Sequence, residues 1–238
     1  SHLPHCRTGR LTLGKATGVR ATTTRLLVPI VIVWLLGSNA ACGSGDSGAD
    51  VNAAPLVAPG RWAVLGSSTA AGVGAPDGQG WVALTAAQMS SSGDAVSNLA
   101  RSGLLTSQAL PVGTPLDPAR APPDPEVNID RALGLTPKLV LLAFPTNDAV
   151  AGVPAAETVG HWQLIGQTAA QSGAATLVLS TQPRDGLDAT QQATLDETDR
   201  LAAAAFGPCF VALRAALSNA QGGIETSQAL LARRWDHI

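Results

Sequence analysis

Short apolar runs alternate along this chain with longer stretches in which apolar positions recur every three or four residues. Arg61-Trp62-Ala63-Val64-Leu65, Ala95-Val96-Ser97-Asn98-Leu99, Lys138-Leu139-Val140-Leu141-Leu142-Ala143-Phe144, Ala175-Thr176-Leu177-Val178-Leu179-Ser180 and Pro208-Cys209-Phe210-Val211-Ala212-Leu213 predict five strands. Between and after them, periodic stretches predict helices over Trp81–Met89, Ala155–Gln171, Ala189–Ala205 and Ser227–Arg233. Strands that are apolar throughout are buried on both faces, and strands alternating with helices point to a parallel sheet. The pattern therefore predicts an α/β fold, a three-layer α/β/α sandwich around a five-stranded parallel sheet. In such sheets ligands bind beyond the carboxyl ends of the strands, so the loops that follow strands are where chemistry should gather. The segment Pro111 to Pro125, with six prolines, predicts a surface loop able to overhang that edge.

The N-terminus breaks this alternation. Arg7, Arg10, Lys15, Arg20 and Arg25 precede a single apolar run from Leu26 to Leu36, and then come Gly37-Ser38-Asn39-Ala40-Ala41-Cys42. A basic region, an apolar run too short to span a bilayer and a small-residue end form the pattern of an export signal. The stretch looks like a bacterial lipoprotein signal with Cys42 as the lipidated residue. Asn39 departs from that pattern, which leaves ordinary cleavage after Ala40 or Ala41 as the competing reading. The tether Gly43-Ser44-Gly45-Asp46-Ser47-Gly48 favours lipidation. The chain thus divides into a targeting segment over 1–42, a linker over 43–60 and one domain over 61–238, exported and either held at the membrane through a lipid or secreted.

Charge sharpens the division. The first 42 residues hold five of the 15 basic side chains and no acidic one, leaving ten against all 17 acidic residues, a net of −7. An acidic body gives no electrostatic reason to bind nucleic acid. Of three cysteines only Cys209 lies beyond Cys42, so no internal disulfide framework is available to the body. Cys209, in an apolar run, reads as a buried strand residue. No His, Cys, Asp or Glu cluster has metal-ligand spacing, and Gly72-Val73-Gly74 with Gly78 lacks the lysine and spacing of a phosphate loop. Neither metal nor cofactor is expected, and those glycines read as a turn over the site edge.

Three segments carry candidate chemistry. Ser68, in Gly66-Ser67-Ser68-Thr69, follows the first strand; Gly103 closes Asn98-Leu99-Ala100-Arg101-Ser102-Gly103 after the second; Asn147, in Pro145-Thr146-Asn147-Asp148, follows the third. Each alone is ordinary turn chemistry. Together they put a hydroxyl, an unhindered backbone N–H and a carboxamide at one sheet edge, which is what acyl transfer requires of a nucleophile and its oxyanion donors. Arg184, after the fourth strand, could meet a substrate, but pairing with Asp185 or another acid is the plainer expectation. His161, beside Trp162 in a helix, reads as a surface or packing residue.

The ordered set, from about Arg61 to the end, resembles the SGNH, or GDSL-type, hydrolase family. The resemblance implies a flavodoxin-like sandwich. It implies Ser68 as nucleophile and an oxyanion hole formed by the Ser68 N–H, the Gly103 N–H and the Asn147 side chain. The family's last block reads Asp-x-x-His. Asp236-His237-Ile238 fits its first three positions, so Asp236 orients a general base expected directly after Ile238. His237 is the lesser candidate for the base, since a direct neighbour is poorly placed to receive an orienting bond from Asp236. Ser67 stands where the family has Asp, and Pro145 where it has Gly. The resemblance implies a serine esterase for small acyl esters of carbohydrate or lipid. A cell-surface binding protein that keeps the fold without the base is the alternative. A classical α/β-hydrolase is disfavoured because Ala70 replaces the second Gly of Gly-x-Ser-x-Gly.

Overall fold

The structure, a computed structural model, describes residues 60–218 except Pro145 and Thr181. Cys42, the helix expected over Ser227–Arg233, Asp236 and His237 lie outside the described residues. Within them the α/β architecture is the expected one. Five strands, β1 (Arg61–Gly66), β2 (Ala95–Asn98), β3 (Leu139–Ala143), β4 (Ala175–Leu179) and β5 (Phe210–Val211), form one sheet in the order β2-β1-β3-β4-β5. Every neighbouring pair is parallel. The chain moves outward from β1 to β2 and then returns to the other side of β1 for β3. The carboxyl ends of β1 and β3 therefore flank the point where the winding reverses, which opens a crevice between their loops.

Helices take up the intervening chain: α1 (Ser68–Ala71), α2 (Trp81–Ser90), α3 (Ile129–Leu133), α4 (Asn147–Val150), α5 (Ala155–Gln171), α6 (Ala189–Phe206) and α7 (Leu213–Leu217). The long α5 starts after Pro154, whose fixed φ suits an entry into helix. It buries Val159, Trp162, Ile165 and Ala169, a three-and-four spacing that makes one face. That face packs on alternate strand positions, Ala63 and Leu65 of β1, Val140 and Leu142 of β3 and Val178 of β4, all almost fully buried. The intervening positions Val64, Leu141 and Leu179 are buried too, on the opposite side of the sheet. α6 begins with a reciprocal cap in which Asp188 Oδ1 accepts from Gln191 N–H at 2.8 Å and Gln191 Oε1 accepts from Asp188 N–H at 3.0 Å.

One expectation fails at the sheet's far edge. Cys209 is not a buried strand residue: it is half-buried at the end of a 3₁₀ turn, Gly207–Cys209, and β5 spans only Phe210–Val211 before α7 begins at Leu213. An edge strand has one partner, and here its ladder to β4 is two residues long, Val178 with Phe210 and Leu179 with Val211.

Where β1 ends, Gly66 is required by space rather than by its φ. A Cβ built there would lie 2.6 Å from Ala143 O and 2.9 Å from the Ala70 Cβ. Ser67 N–H continues the ladder by donating to Ala143 O at 3.3 Å, and Gly66 O accepts from Arg101 N–H at 3.2 Å. The turn after β1 is thus clamped against the ends of both β2 and β3. Gly66→Ala is expected to cost about 1–3 kcal/mol of stability through overpacking against backbone that cannot retreat. Urea denaturation measures it, and a variant as stable as wild type would show that the clamp yields.

Candidate active site

At the end of β1 the chain turns directly into α1, with Ser67 as its N-cap and Ser68 as its first residue. Ser67 is wholly buried, and its Oγ accepts the Ser68 N–H at 2.6 Å. Ser68 is half-buried and its hydroxyl has no hydrogen-bond partner among the described residues. At the end of β3, Asn147 opens α4, and its Nδ2 donates to Ser67 Oγ at 2.8 Å and to Leu104 O at 3.0 Å. Leu104 immediately follows Gly103, which is exposed and has φ +79°, a conformation open to glycine and strained for other residues. The turns after β1, β2 and β3 therefore meet around one carboxamide. Ser68, Gly103 and Asn147 share one edge, and among the described residues the Gly103 N–H is not taken by another group.

The proline-rich segment lies over this edge. Asp124 pairs with Arg101, two residues before Gly103, and its N–H donates to Gln108 O at 2.9 Å. Arg101 holds the Asp124 carboxyl below its ordinary range, helped by the N–H of Glu126. The end of α1, the glycine turn after it and Asn98 line a cavity of about 130 Å³. Asn98 Nδ2 donates to Ala70 O at 2.7 Å and so ties β2 to α1.

Beneath Asn147 lies a polar cluster that the chain's pattern had not singled out. Asp148, buried in the first turn of α4, accepts from Thr106 N–H at 3.0 Å, from the Thr106 hydroxyl, and from the Thr158 hydroxyl of α5 at 3.0 Å. His161 Nδ1 lies 2.7 Å from Thr106 Oγ1. The single Thr106 hydroxyl proton goes to Asp148, so His161 Nδ1 is the donor in that contact. His161 is thus a buried hydrogen-bonding residue rather than a surface one. Its place was legible, because Thr158, His161, Trp162 and Ile165 follow helical spacing along the buried face of α5. Burial pushes its pKa below 6.5, against the pull of Asp148 and Glu157. Arg120 forks onto Glu157 at 2.6 and 2.8 Å and lowers that carboxyl's pKa.

Arg184 also departs from expectation. Its Nη1 donates to Thr146 Oγ1 at 3.0 Å, beside Asn147, and no acid pairs with it among the described residues. Among the described residues no His, Cys, Asp and Glu cluster is arranged to hold a metal ion, and no helix is long and apolar enough to cross a membrane.

With this geometry in view, residues 64–229 match the model of the GDSL-like Lipase/Acylhydrolase family. The chain belongs to that family. Its members are ester hydrolases, and this GDSL-like chain is one by membership. Three solved structures share its fold. TesA is 20% identical with a TM-score of 0.50, over 73% of this chain and 94% of its own. A mutant of the esterase AlinE4 is 17% identical at 0.50, over 68% and 81%. A putative lipolytic protein of the G-D-S-L family from Desulfitobacterium hafniense DCB-2 is 13% identical at 0.50, over 74% and 97%. No curated protein matches the chain.

The cluster under the site yields two expectations. Asp148→Ala strands the Thr106 N–H and two hydroxyls in a buried place and is expected to cost about 3 kcal/mol by chemical denaturation. A loss under about 1 kcal/mol would mean that the cluster does not hold the turns. The second concerns acid. Below about pH 6.5 the unfolded chain takes up a proton at His161 that the folded protein resists, so stability falls as pH drops through that window. Between pH ~7.5 and ~5.5, wild type should therefore lose more stability than His161→Gln does. Equal losses would remove His161 from the account.

Proposed function

We propose that this GDSL-like hydrolase is a serine esterase that cleaves small acyl esters of carbohydrate or lipid through an acyl-Ser68 intermediate. The observation that carries the reading is the Asn147 carboxamide spanning the turns that hold Ser68 and Gly103. In the proposed reaction the Ser68 oxygen attacks the acyl carbon while its proton passes to a general base. The carbonyl oxygen gains the negative charge, which the Ser68 N–H, the Gly103 N–H and the Asn147 Nδ2 stabilise. Collapse of the intermediate breaks the ester C–O bond, and the leaving alkoxide takes the proton from the base. Water then adds to the acyl-Ser68, gives its proton to the same base, and releases the acid and the Ser68 hydroxyl.

In this reading Asp236 orients the base, which the family pattern puts directly after Ile238, with His237 as the lesser candidate. A mildly acidic domain suits a neutral ester better than a polyanion. Export and lipid attachment through Cys42 would set the enzyme at the membrane's outer face, where envelope carbohydrates and lipids present such esters.

The test is hydrolysis of a short-chain aryl ester by the chain extended through the histidine expected after Ile238. Ser68→Ala is expected to lower kcat by roughly 10⁴ or more, and Asn147→Ala by roughly 10²–10³ with little change in KM. Turnover by Ser68→Ala at the wild-type rate would eliminate the mechanism.

A further inference from the structure

Two hydrogen bonds converge on one buried oxygen beside the proposed nucleophile. Ser67 Oγ accepts both the Ser68 N–H, at 2.6 Å, and the Asn147 Nδ2, at 2.8 Å. These are two of the three donors that the proposed reaction needs for the oxyanion. The proton count is strict. A backbone N–H has one proton, and it is given to Ser67. A carboxamide nitrogen has two, and Asn147 gives one to Ser67 and the other to Leu104 O. Neither group has a proton left for a substrate oxygen, and only the Gly103 N–H is unclaimed among the described residues.

Taking the chain as a serine esterase, we propose that Ser67 occupies the oxyanion site from within: its hydroxyl oxygen collects the donors in the resting enzyme and turns away before Ser68 is acylated. Ser67 is wholly buried, so a substrate oxygen cannot share its position, and the donors must be released to reach one. The arrangement is also held on one side only. The Ser67 oxygen accepts twice, but its own proton finds no acceptor among the described residues, so rotation about χ1 gives up the two accepted bonds and no donated one. As the donors pass from Ser67 to an oxygen gaining charge, their hydrogen bonds strengthen, which favours the open arrangement in the transition state over the closed one at rest. Ser67 stands where the family has Asp, so the device belongs to this chain's own substitution. Ser67 acts through Ser68 and Asn147 and is a positioning residue.

The test compares wild type with Ser67→Ala and Ser67→Gly in the aryl ester assay. Each variant removes the oxygen, so a folding defect peculiar to one does not decide the outcome. Releasing one ordinary hydrogen bond corresponds to roughly five-fold. Two such bonds end on Ser67, so both variants are expected to raise kcat by roughly five- to 25-fold while KM stays near its wild-type value. A second readout does not depend on turnover. Hydrogen exchange of the Ser68 amide, followed by NMR, should accelerate at least about ten-fold in Ser67→Ala. A kcat at or below wild type in both variants overturns the inference and makes the hydroxyl a support for Asn147 instead. Unchanged exchange overturns it as well, because the Ser68 N–H would then have another acceptor. Wild-type protein that fails to hydrolyse the ester ends the esterase reading and this inference together. Wild-type hydrolysis with no gain in the variants ends this inference alone.

Discussion

The Asn147 carboxamide is the constraint around which the edge of the sheet is organised. Its nitrogen joins Ser67, at the end of β1, to Leu104, in the turn after β2, while the residue itself opens the helix after β3. A parallel sheet brings those three strand ends to one side, but it does not fix the loops that leave them. Each loop alone would sample many arrangements, at a conformational cost of roughly 1–2 kcal/mol for each residue fixed. One planar group with two protons at set angles removes much of that freedom. The position follows from topology, because β1 and β3 are neighbours whose connections depart in opposite directions.

A single half-buried carboxamide would be a weak clamp, and the second tier explains why this one holds. Asp148 fastens the same turn to Thr106 and to α5, and Thr106 in turn accepts from His161. The cluster is buried, where unpaired polar groups are expensive, so its members support one arrangement strongly and tolerate few others. Gly66 does the same work by shape, letting β1 approach Ala143 and Ala70 more closely than any side chain would permit. Backbone packing, a neutral amide and a buried carboxylate thus act on one corner by three different physical means.

How much of this was legible in the chain depended on the range of the interactions. β1, β3 and α5 were readable within a residue or so, because burial on both faces of a central strand and along one helix face leaves long periodic signals. β5 was not, because its two-residue pairing is decided by the edge of β4 and not by its own apolar run. The short helices α1, α3 and α4 escaped for a related reason: four or five residues cannot show a period, and each is also tied to distant residues by hydrogen bonds. Ser68, Gly103 and Asn147 were legible as turn residues following strands. The role of Ser67 could be seen only once the Asn147 amide, 80 positions away, was found on it. The same holds for Arg184, whose contact with Thr146 spans 38 positions. Thr106 lies in a turn that carries no pattern of its own.

The chemistry of position 67 follows from what that place can accommodate. A wholly buried carboxylate would require several donors to offset its lost hydration, and it would hold them firmly. A hydroxyl asks far less of its surroundings, and it can release the Ser68 and Asn147 protons at the strength of neutral hydrogen bonds. The corner can therefore remain ordered with the site empty without committing its donors permanently. Preorganisation usually means donors already aimed at a developing charge. In the proposed reaction order and availability would be separated: the buried cluster under Asn147 keeps the carboxamide in place, and the Ser67 side chain would govern whether its protons face inward or toward an acyl oxygen.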